Sequence, residues 1–337
     1  MTVARLQDLS EGELLARLFP VFGGTTGPAR VLLGPGDDAA VLAAPSGAVV
    51  LTTDSMVRER DWRDDWSSPE EVGRKVVAQN VADIAAMGAV PTGLLVALAA
   101  DPATEVGWAV ALAEGIAAAA EEAGAPVIGG DLSSAEPGTV LVGITAVGDL
   151  GGRTPVRRDG ARAGDVVAVR GSLGRSGGGL QLLLDGRGRT HLDEPLGEAD
   201  DRTRAVDELC RVHRRTGDVP WRSGAEAADA GATAMIDLSD GLVRDLGRVA
   251  DASGVRVDLD GTALAEAAAG PLTLALGPDD ALRQVLSGGE EHSLLATFPR
   301  GAVPDGWRVI GACSDGAGVL VDGQRPTVTG WDHFHDA

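Results

Sequence analysis

The sequence predicts a two-domain α/β (α+β) protein, on three observations. Short apolar runs alternate with helix-like periodic segments from end to end, the pattern of a chain that exchanges strands for helices. A length of 337 residues suits two domains better than one. A stretch rich in Gly and Arg, residues 148–162, interrupts the pattern near the middle and sets the expected boundary between domains 1–148 and 149–337.

The elements follow in order. Residues 5–19 read as a first helix, with Leu6, Leu9, Leu14, Leu15 and Leu18 near helical spacing. Val31–Leu33 and Ala39–Leu42 flank Gly36-Asp37-Asp38 as strand, loop and strand. Ala48–Asp54 is a strand ending in polar residues. Ser68, Pro69 and Glu71 form a helix start with a capping box. Val72, Val76, Val77, Ile84 and Met87 make the apolar stripe of that helix, and Gly88 suits its left-handed close. Leu94–Ala100, Val127–Gly130 and Val140–Val147 read as strands, with a helix over 105–123. Beyond the boundary come a strand at Asp165–Val169, a flexible Gly-rich turn at 171–179 and a helix opening at Leu180–Leu184. A polar surface loop spans 186–201, and helices lie near 203–215 and 223–230. The strand Ala234–Asp237 then precedes a helix, Leu242–Ala252, stopped by Gly254.

The totals exclude several classes. Apolar residues make up 44% of the chain, enough for real cores, but aromatics only 3% and Tyr is absent, so the 48 Gly and the aliphatics do the packing. A net charge of −21 with no basic stripe argues against nucleic acid. It also repels free anions, so a phosphate-bearing ligand needs metal ions between it and the protein. Cys210 and Cys313 form no Cys-x-x-Cys pair, which fits a reducing cytoplasm. No signal pattern and no membrane-length apolar run appears, so no membrane partner is expected.

Five acidic clusters then stand out: Asp37-Asp38, Thr52-Thr53-Asp54, Asp83, Gly130-Asp131 and Asp237-Leu238-Ser239-Asp240-Gly241. Singly, each also reads as a turn or cap: Asp54 as a turn cap, Asp240 as the N-cap of the following helix. Together they suggest oxygen ligands gathered around hard cations such as Mg²⁺. Asn80 and Asp83 share a helix face. Gly129 and Gly130 let backbone approach a phosphate, and the helix start after Asp240 attracts one. The Gly171–Gly179 run lacks the Gly-Lys-Ser/Thr of a P-loop. Glu290 and Glu291 suit ligation or substrate hydrogen bonding, and Trp331 either stacks on a flat ring or plugs a core. No Ser/His/Asp nucleophile arrangement is present.

In sequence order these motifs resemble the thiamine-monophosphate kinase family, of the superfamily shared with aminoimidazole-ribonucleotide synthetase. The carrying strings are Gly36–Ala40, Thr52–Asp54, Asn80–Ala89, Ile128–Asp131, Ile236–Leu242, Ser287–Glu290 and Gly330–Phe334. The resemblance implies a homodimer whose N-terminal sheets pair into a barrel, and ATP-dependent phosphorylation of thiamine monophosphate. It implies Mg²⁺ ligands at Asp37 or Asp38, Thr52, Thr53, Asp54, Asp83, Asp131, Asp237 and Asp240. It implies ATP contacts at Gly130, Asp131, Arg158 and Ser239, and thiamine-side contacts at Glu290 and Trp331. Two departures fall on the substrate side. Arg60-Asp61-Trp62 stands where the family carries His before an aromatic, which puts Asp61 at the substrate phosphate. Glu291 stands where Asp commonly follows the first Glu. The rival readings are another ATP-dependent enzyme of the superfamily with a different acceptor, and a non-catalytic binder of thiamine phosphate or nucleotide.

Overall fold

A computed structural model describes residues 4–22, 30–33, 41–188, 199–216, 219–328 and 330–331. The chain divides into two units: residues 1–84 with 90–152, and residues 85–89 with 153–337.

The first unit holds α1 (Glu11–Phe22), a short pair β1 (Val31–Leu33) and β2 (Val41–Leu42), β3 (Val50–Val57), α2 (Pro69–Ala86, whose last two residues group with the second unit), β4 (Val90–Ala100), α3 (Val106–Ala123), β5 (Val127–Ser134) and β6 (Val140–Asp149). Its first helix starts later than the Leu spacing predicts. Ser10 and Glu13 form a capping box there, Ser10 N–H to Glu13 Oε2 at 2.8 Å and Glu13 N–H to Ser10 Oγ at 3.3 Å. The box pins the start at residue 11, and Leu6–Asp8 make a separate 3₁₀ turn. The predicted start of α2 is present, with Ser68 and Glu71 exchanging hydrogen bonds.

The main sheet runs β3-β6-β4-β5, with β4 and β5 parallel around α3 and the other pairs antiparallel. Alternation along β6 sets its two faces: Val140, Val142, Ile144 and Ala146 are buried, while the residues between them are half-buried. The helices cross at backbone contact. A Cβ on Gly73 of α2 would lie 2.3 Å from the Leu112 carbonyl, and one on Gly115 of α3 would lie 2.1 Å from that of Glu70.

The second unit comprises β7 (Val166–Arg170), α4 (Arg175–Leu184), α5 (Asp201–Arg215), α6 (Trp221–Asp229), β8 (Ala234–Asp237), α7 (Leu242–Ser253), β9 (Val255–Leu259), α8 (Gly261–Ala268), α9 (Pro271–Leu276), α10 (Pro278–Ser287), β10 (Leu294–Phe298), β11 (Arg308–Asp315) and β12 (Gly318–Val321). Six strands form one sheet, β12-β9-β11-β7-β10-β8, antiparallel except for β12 on β9. Its core packs Ala168, Met235, Leu294, Ala296 and Phe298 with Ala85 and Ala86, and Trp307 stands edge-on to Phe298 at 5.3 Å between ring centres.

The Gly-rich run differs from its predicted flexible turn. Gly177, Gly178 and Gly179 lie inside α4. A Cβ on Gly179 would sit 2.1 Å from the Leu209 carbonyl, and one on Gly177 2.5 Å from Gly288 Cα. The glycines are there so that α5 and the α10 terminus can touch the α4 backbone, and tight packing outweighs their low helix propensity.

Candidate functional site

In the first unit the acidic residues sit on strand edges rather than strand ends. β3 continues to Val57, so Asp54 lies within the strand and caps no turn. Asn80 and Asp83, one helical turn apart on α2, both face β3: Thr52 Oγ1 donates to Asp83 Oδ2 at 2.7 Å, and the Asp54 N–H donates to Asn80 Oδ1 at 2.9 Å. Asn80 is fully buried and its amide donates to the Val76 carbonyl at 2.8 Å, so its orientation is fixed. Successive strand residues point to opposite faces. Thr52 and Asp54 therefore share a side, while the Thr53 hydroxyl turns away, donating to the Ile144 carbonyl at 2.9 Å and accepting from Thr145 at 3.2 Å.

Asp131 lies inside β5, which extends to Ser134, and its Oδ2 accepts the Ser133 hydroxyl at 2.9 Å. Pairing aligns Asp54, Ile144, Val96 and Gly130 in one row across the sheet. β3 and β5 are the two edges, three strand spacings or about 14 Å apart along the sheet. One ion cannot be held by both Asp54 and Asp131. Gly130 has a reason of its own to be glycine: a Cβ there would lie 1.9 Å from the Val96 carbonyl. Asp37 and Asp38 fall outside the described residues. Among the described residues no three His, Cys, Asp or Glu side chains are gathered closely enough to hold an ion.

The second unit builds a loop pair. After β8 the chain passes through Asp237-Leu238-Ser239-Asp240-Gly241 into α7, and residues 289–292 run beside it. Glu290 N–H donates to the Ser239 carbonyl at 2.8 Å and His292 N–H to that of Leu238 at 2.7 Å. Four predicted residues, Asp237, Ser239, Asp240 and Glu290, come together here. Trp331 joins by its backbone, its N–H donating to the Asp240 carbonyl at 3.0 Å. Its ring is 45% exposed, which overturns the core-plug reading.

Asp240 is not the N-cap. That position falls to Gly241 at φ 114°, with no side-chain cap. The loop is fastened from inside the helix instead. One oxygen of Asp245, a fully buried residue, accepts the N–H groups of Ser239, Asp240 and Gly241 at 3.1, 3.0 and 3.1 Å. Its other oxygen takes Arg248 at 2.6 Å. Burial pushes the Asp245 carboxyl up to about 6, against the pull of those donors. The expected phosphate position at this helix start is therefore filled by the protein's own carboxylate. With its backbone held inward, Asp240 turns its side chain to Arg248, with Arg244 3.7 Å away.

Asp237 is buried, with His292 Nδ1 at 3.4 Å from its Oδ2. Glu291 points the other way, into the interior. Arg158 and Asp61 are each engaged in local contacts of their own unit. Arg158 is exposed, and its carbonyl accepts the Ser253 hydroxyl at 2.9 Å. The Asp61 carboxylate accepts the Val57 N–H at 2.7 Å, closing the turn after β3. Residue spacing passed over Asp245, Arg248 and His213, and it read Glu291 as a ligand or substrate contact where the structure turns its carboxylate inward to Ser172 and Ser176. The one available signal was an acid a turn inside the helix that follows Asp240-Gly241. Both cysteines are buried with thiols pushed up to about 11 by burial, which rules out thiolate chemistry at neutral pH.

The comparisons with known proteins fit this architecture. A family model described as AIR synthase related protein, N-terminal domain, matches residues 36–150. Thiamine-monophosphate kinase of Mycobacterium tuberculosis (strain H37Rv) is 45% identical over 335 residues, covering 98% of this chain and 93% of that protein. Its counterpart from Corynebacterium glutamicum is 40% identical over 312 residues, covering 89% and 88%. A solved structure described as AaThiL complexed with AMPPCP and TMP matches at TM-score 0.75 and 29% identity, over 99% of this chain and 100% of that one. The chain belongs to the thiamine-monophosphate kinase family.

Proposed function

We propose that the protein transfers the terminal phosphoryl group of ATP to the phosphate of thiamine monophosphate, giving thiamine diphosphate and ADP by direct in-line displacement. The observation that carries this reading is the 45% identity to a thiamine-monophosphate kinase over 98% of the chain. The attacking oxygen belongs to a phosphate that is already anionic, so the reaction needs no strong general base. The obstacle is repulsion between that anion and the polyphosphate.

The donor set is one of carboxylate, hydroxyl and backbone oxygens, which fits Mg²⁺. Asp37 or Asp38, Thr52, Asp54, Asp83 and Asp131 in the first unit, and Asp237 and Asp240 in the second, would hold several such ions, with Asp54 and Asp131 at different ones. Thr53 would contribute through its backbone oxygen, since its hydroxyl is engaged on the other face. Bound Mg²⁺ supplies charge neutralisation at the phosphates. Ser239, Gly130, Asp131 and Arg158 are assigned to ATP, with Arg158 adding positive charge. Glu290 and Trp331 are assigned to the cationic thiamine rings, a carboxylate and a flat face. Asp61 acts on the acceptor side by shaping the turn it closes.

We assign residues 1–148 to nucleotide binding and dimerisation and 149–337 to completion of the active site. A homodimer would cover the sheet face that carries Leu51 and Leu95, exposed at 63% and 37%. Among the described residues no helix is long and apolar enough to cross a membrane, and we place the enzyme in the cytoplasm. The test is incubation with ATP, Mg²⁺ and thiamine monophosphate, with products resolved by chromatography. Thiamine diphosphate and ADP in equal amounts are expected. ADP without thiamine diphosphate would mean a different acceptor, and binding without turnover would mean a binding protein.

A further inference from the structure

The segment 289–292 is bent in an unusual way. Glu290 and His292 both take left-handed backbone, at φ 58° and 51°, on either side of Glu291. Such conformations are strained for residues other than glycine and persist only where the surroundings impose them. The surroundings here are specific. Glu291 is buried, and its carboxylate accepts the Ser176 N–H at 2.6 Å and the Ser172 hydroxyl at 2.6 Å. Ser176 lies in the first turn of α4, whose N-cap is Gly174, a residue with no side chain to cap with. Glu291 supplies that cap from across the unit. His213 of α5, also buried, sets its Nδ1 3.2 Å from Ser176 Oγ and 3.3 Å from Glu290 Oε2.

We propose that Glu291 and His213 are positioning residues that aim Glu290 at the acceptor. Glu291 locks the bend by anchoring its middle residue to α4, and His213 holds the Glu290 carboxylate in one direction. The main-chain bonds to Leu238 and Ser239 transmit the same lock to the loop carrying Asp237 and Asp240. Ser176 joins the two supports, since its N–H meets Glu291 and its hydroxyl meets His213. The assignment rests on the reading of Glu290 as a thiamine-side contact.

The test uses His213→Leu and His213→Asn in the full-length protein. The leucine variant should raise KM for thiamine monophosphate about tenfold, the weight of one charge-assisted hydrogen bond, while KM for ATP stays within twofold. Asparagine offers a polar group near the Nδ1 position and should recover most of the loss. Equal rises in both KM values, with no recovery by asparagine, would show a structural role only and overturn the proposal. A crystal structure of His213→Leu decides the geometry independently. The Glu290 carboxylate should leave its present place while α4 and α5 stay put, and a carboxylate still in place would overturn the proposal whatever the kinetics. If the unaltered protein fails to phosphorylate thiamine monophosphate, the functional reading fails, and the displacement of Glu290 still decides the positioning.

Discussion

The two acidic regions are held by different means. In the second unit the Asp237–Gly241 loop rests on buried charge: Asp245 grips three successive N–H groups, and Arg248 bridges Asp245 to Asp240. In the first unit Thr52–Asp54 is fastened by single hydrogen bonds, one from the Thr52 hydroxyl to the Asp83 carboxylate and one from the Asp54 N–H to the neutral Asn80 amide. The backbone explains the contrast. β3 has its ladder with β6 to fix it, whereas a loop between β8 and α7 has no ladder on its far side and needs a concentrated acceptor to satisfy its N–H groups. A second consequence concerns cations. Asp240 already faces Arg244 and Arg248, so the Mg²⁺ proposed for this carboxylate would have to compete with guanidinium there.

The comparison breaks most sharply at Asp240→Asn. If this carboxylate holds Mg²⁺, kcat/KM should fall roughly 10²–10³-fold. Its ion pairs are partly exposed and contribute little to stability, about 0–1 kcal/mol, so the melting temperature should move by only a few degrees. Steady-state kinetics with a thermal melt separates the two. Retained activity ends the metal role, and an unfolded variant makes the arginine pairing structural. Next comes Asp245→Asn, which should cost about 2–4 kcal/mol in denaturant unfolding because it leaves buried donors and Arg248 poorly matched. A loss under about 1 kcal/mol would mean the loop does not depend on the buried charge. The matched change in the first unit, Thr52→Val, removes one hydrogen bond to the Asp83 carboxylate at nearly constant shape and should cost about 1.5 kcal/mol. A cost equal to that of Asp245→Asn would erase the distinction between the two regions.

Much of this was legible because the signals were local. The α2 capping box, the stop of α7 at Gly254 and the strand Ala234–Asp237 depend on residues a few positions apart, and the structure shows all of them. What escaped depended on distant partners. The helical glycines of α4 read as a turn because their neighbours, Leu209 and Gly288, are remote in sequence. Asp54 and Asp131 read as lying at strand ends because the polar run Thr52–Asp54 and the pair Gly129-Gly130 suggested a stop. In fact both strands continue as edges. Asp240 read as a cap because the usual rule looks before the helix, while the carboxylate that fastens the loop sits a turn inside it. The role of Glu291 needed the α4 terminus to be visible, and nothing near residue 291 announces it.

The smallest effect expected is one of pH, and it sharpens the contrast between the buried carboxylates of the second unit and the strand-borne hydrogen bonds of the first. Burial raises the Glu291 carboxyl above its ordinary 4.5, opposed by the Ser172 and Ser176 donors and by the charges of Arg175 and His292. A carboxyl whose folded value lies above its unfolded one binds more protons when folded. Its contribution is therefore complete below pH 4.5 and is lost as pH rises through the folded value. Glu291→Gln keeps an acceptor for the Ser176 N–H and carries no charge, so this part of the pH dependence should vanish. Unfolding free energies measured from pH 4 to pH 8 should show the unaltered protein losing stability relative to Glu291→Gln as pH rises. Thr52→Val should keep the Glu291-dependent decline of the unaltered protein, because it leaves Glu291 and its donors in place. Parallel curves for all three would mean that Glu291 titrates alike in the folded and unfolded chain, and the two regions would then differ in position but not in kind.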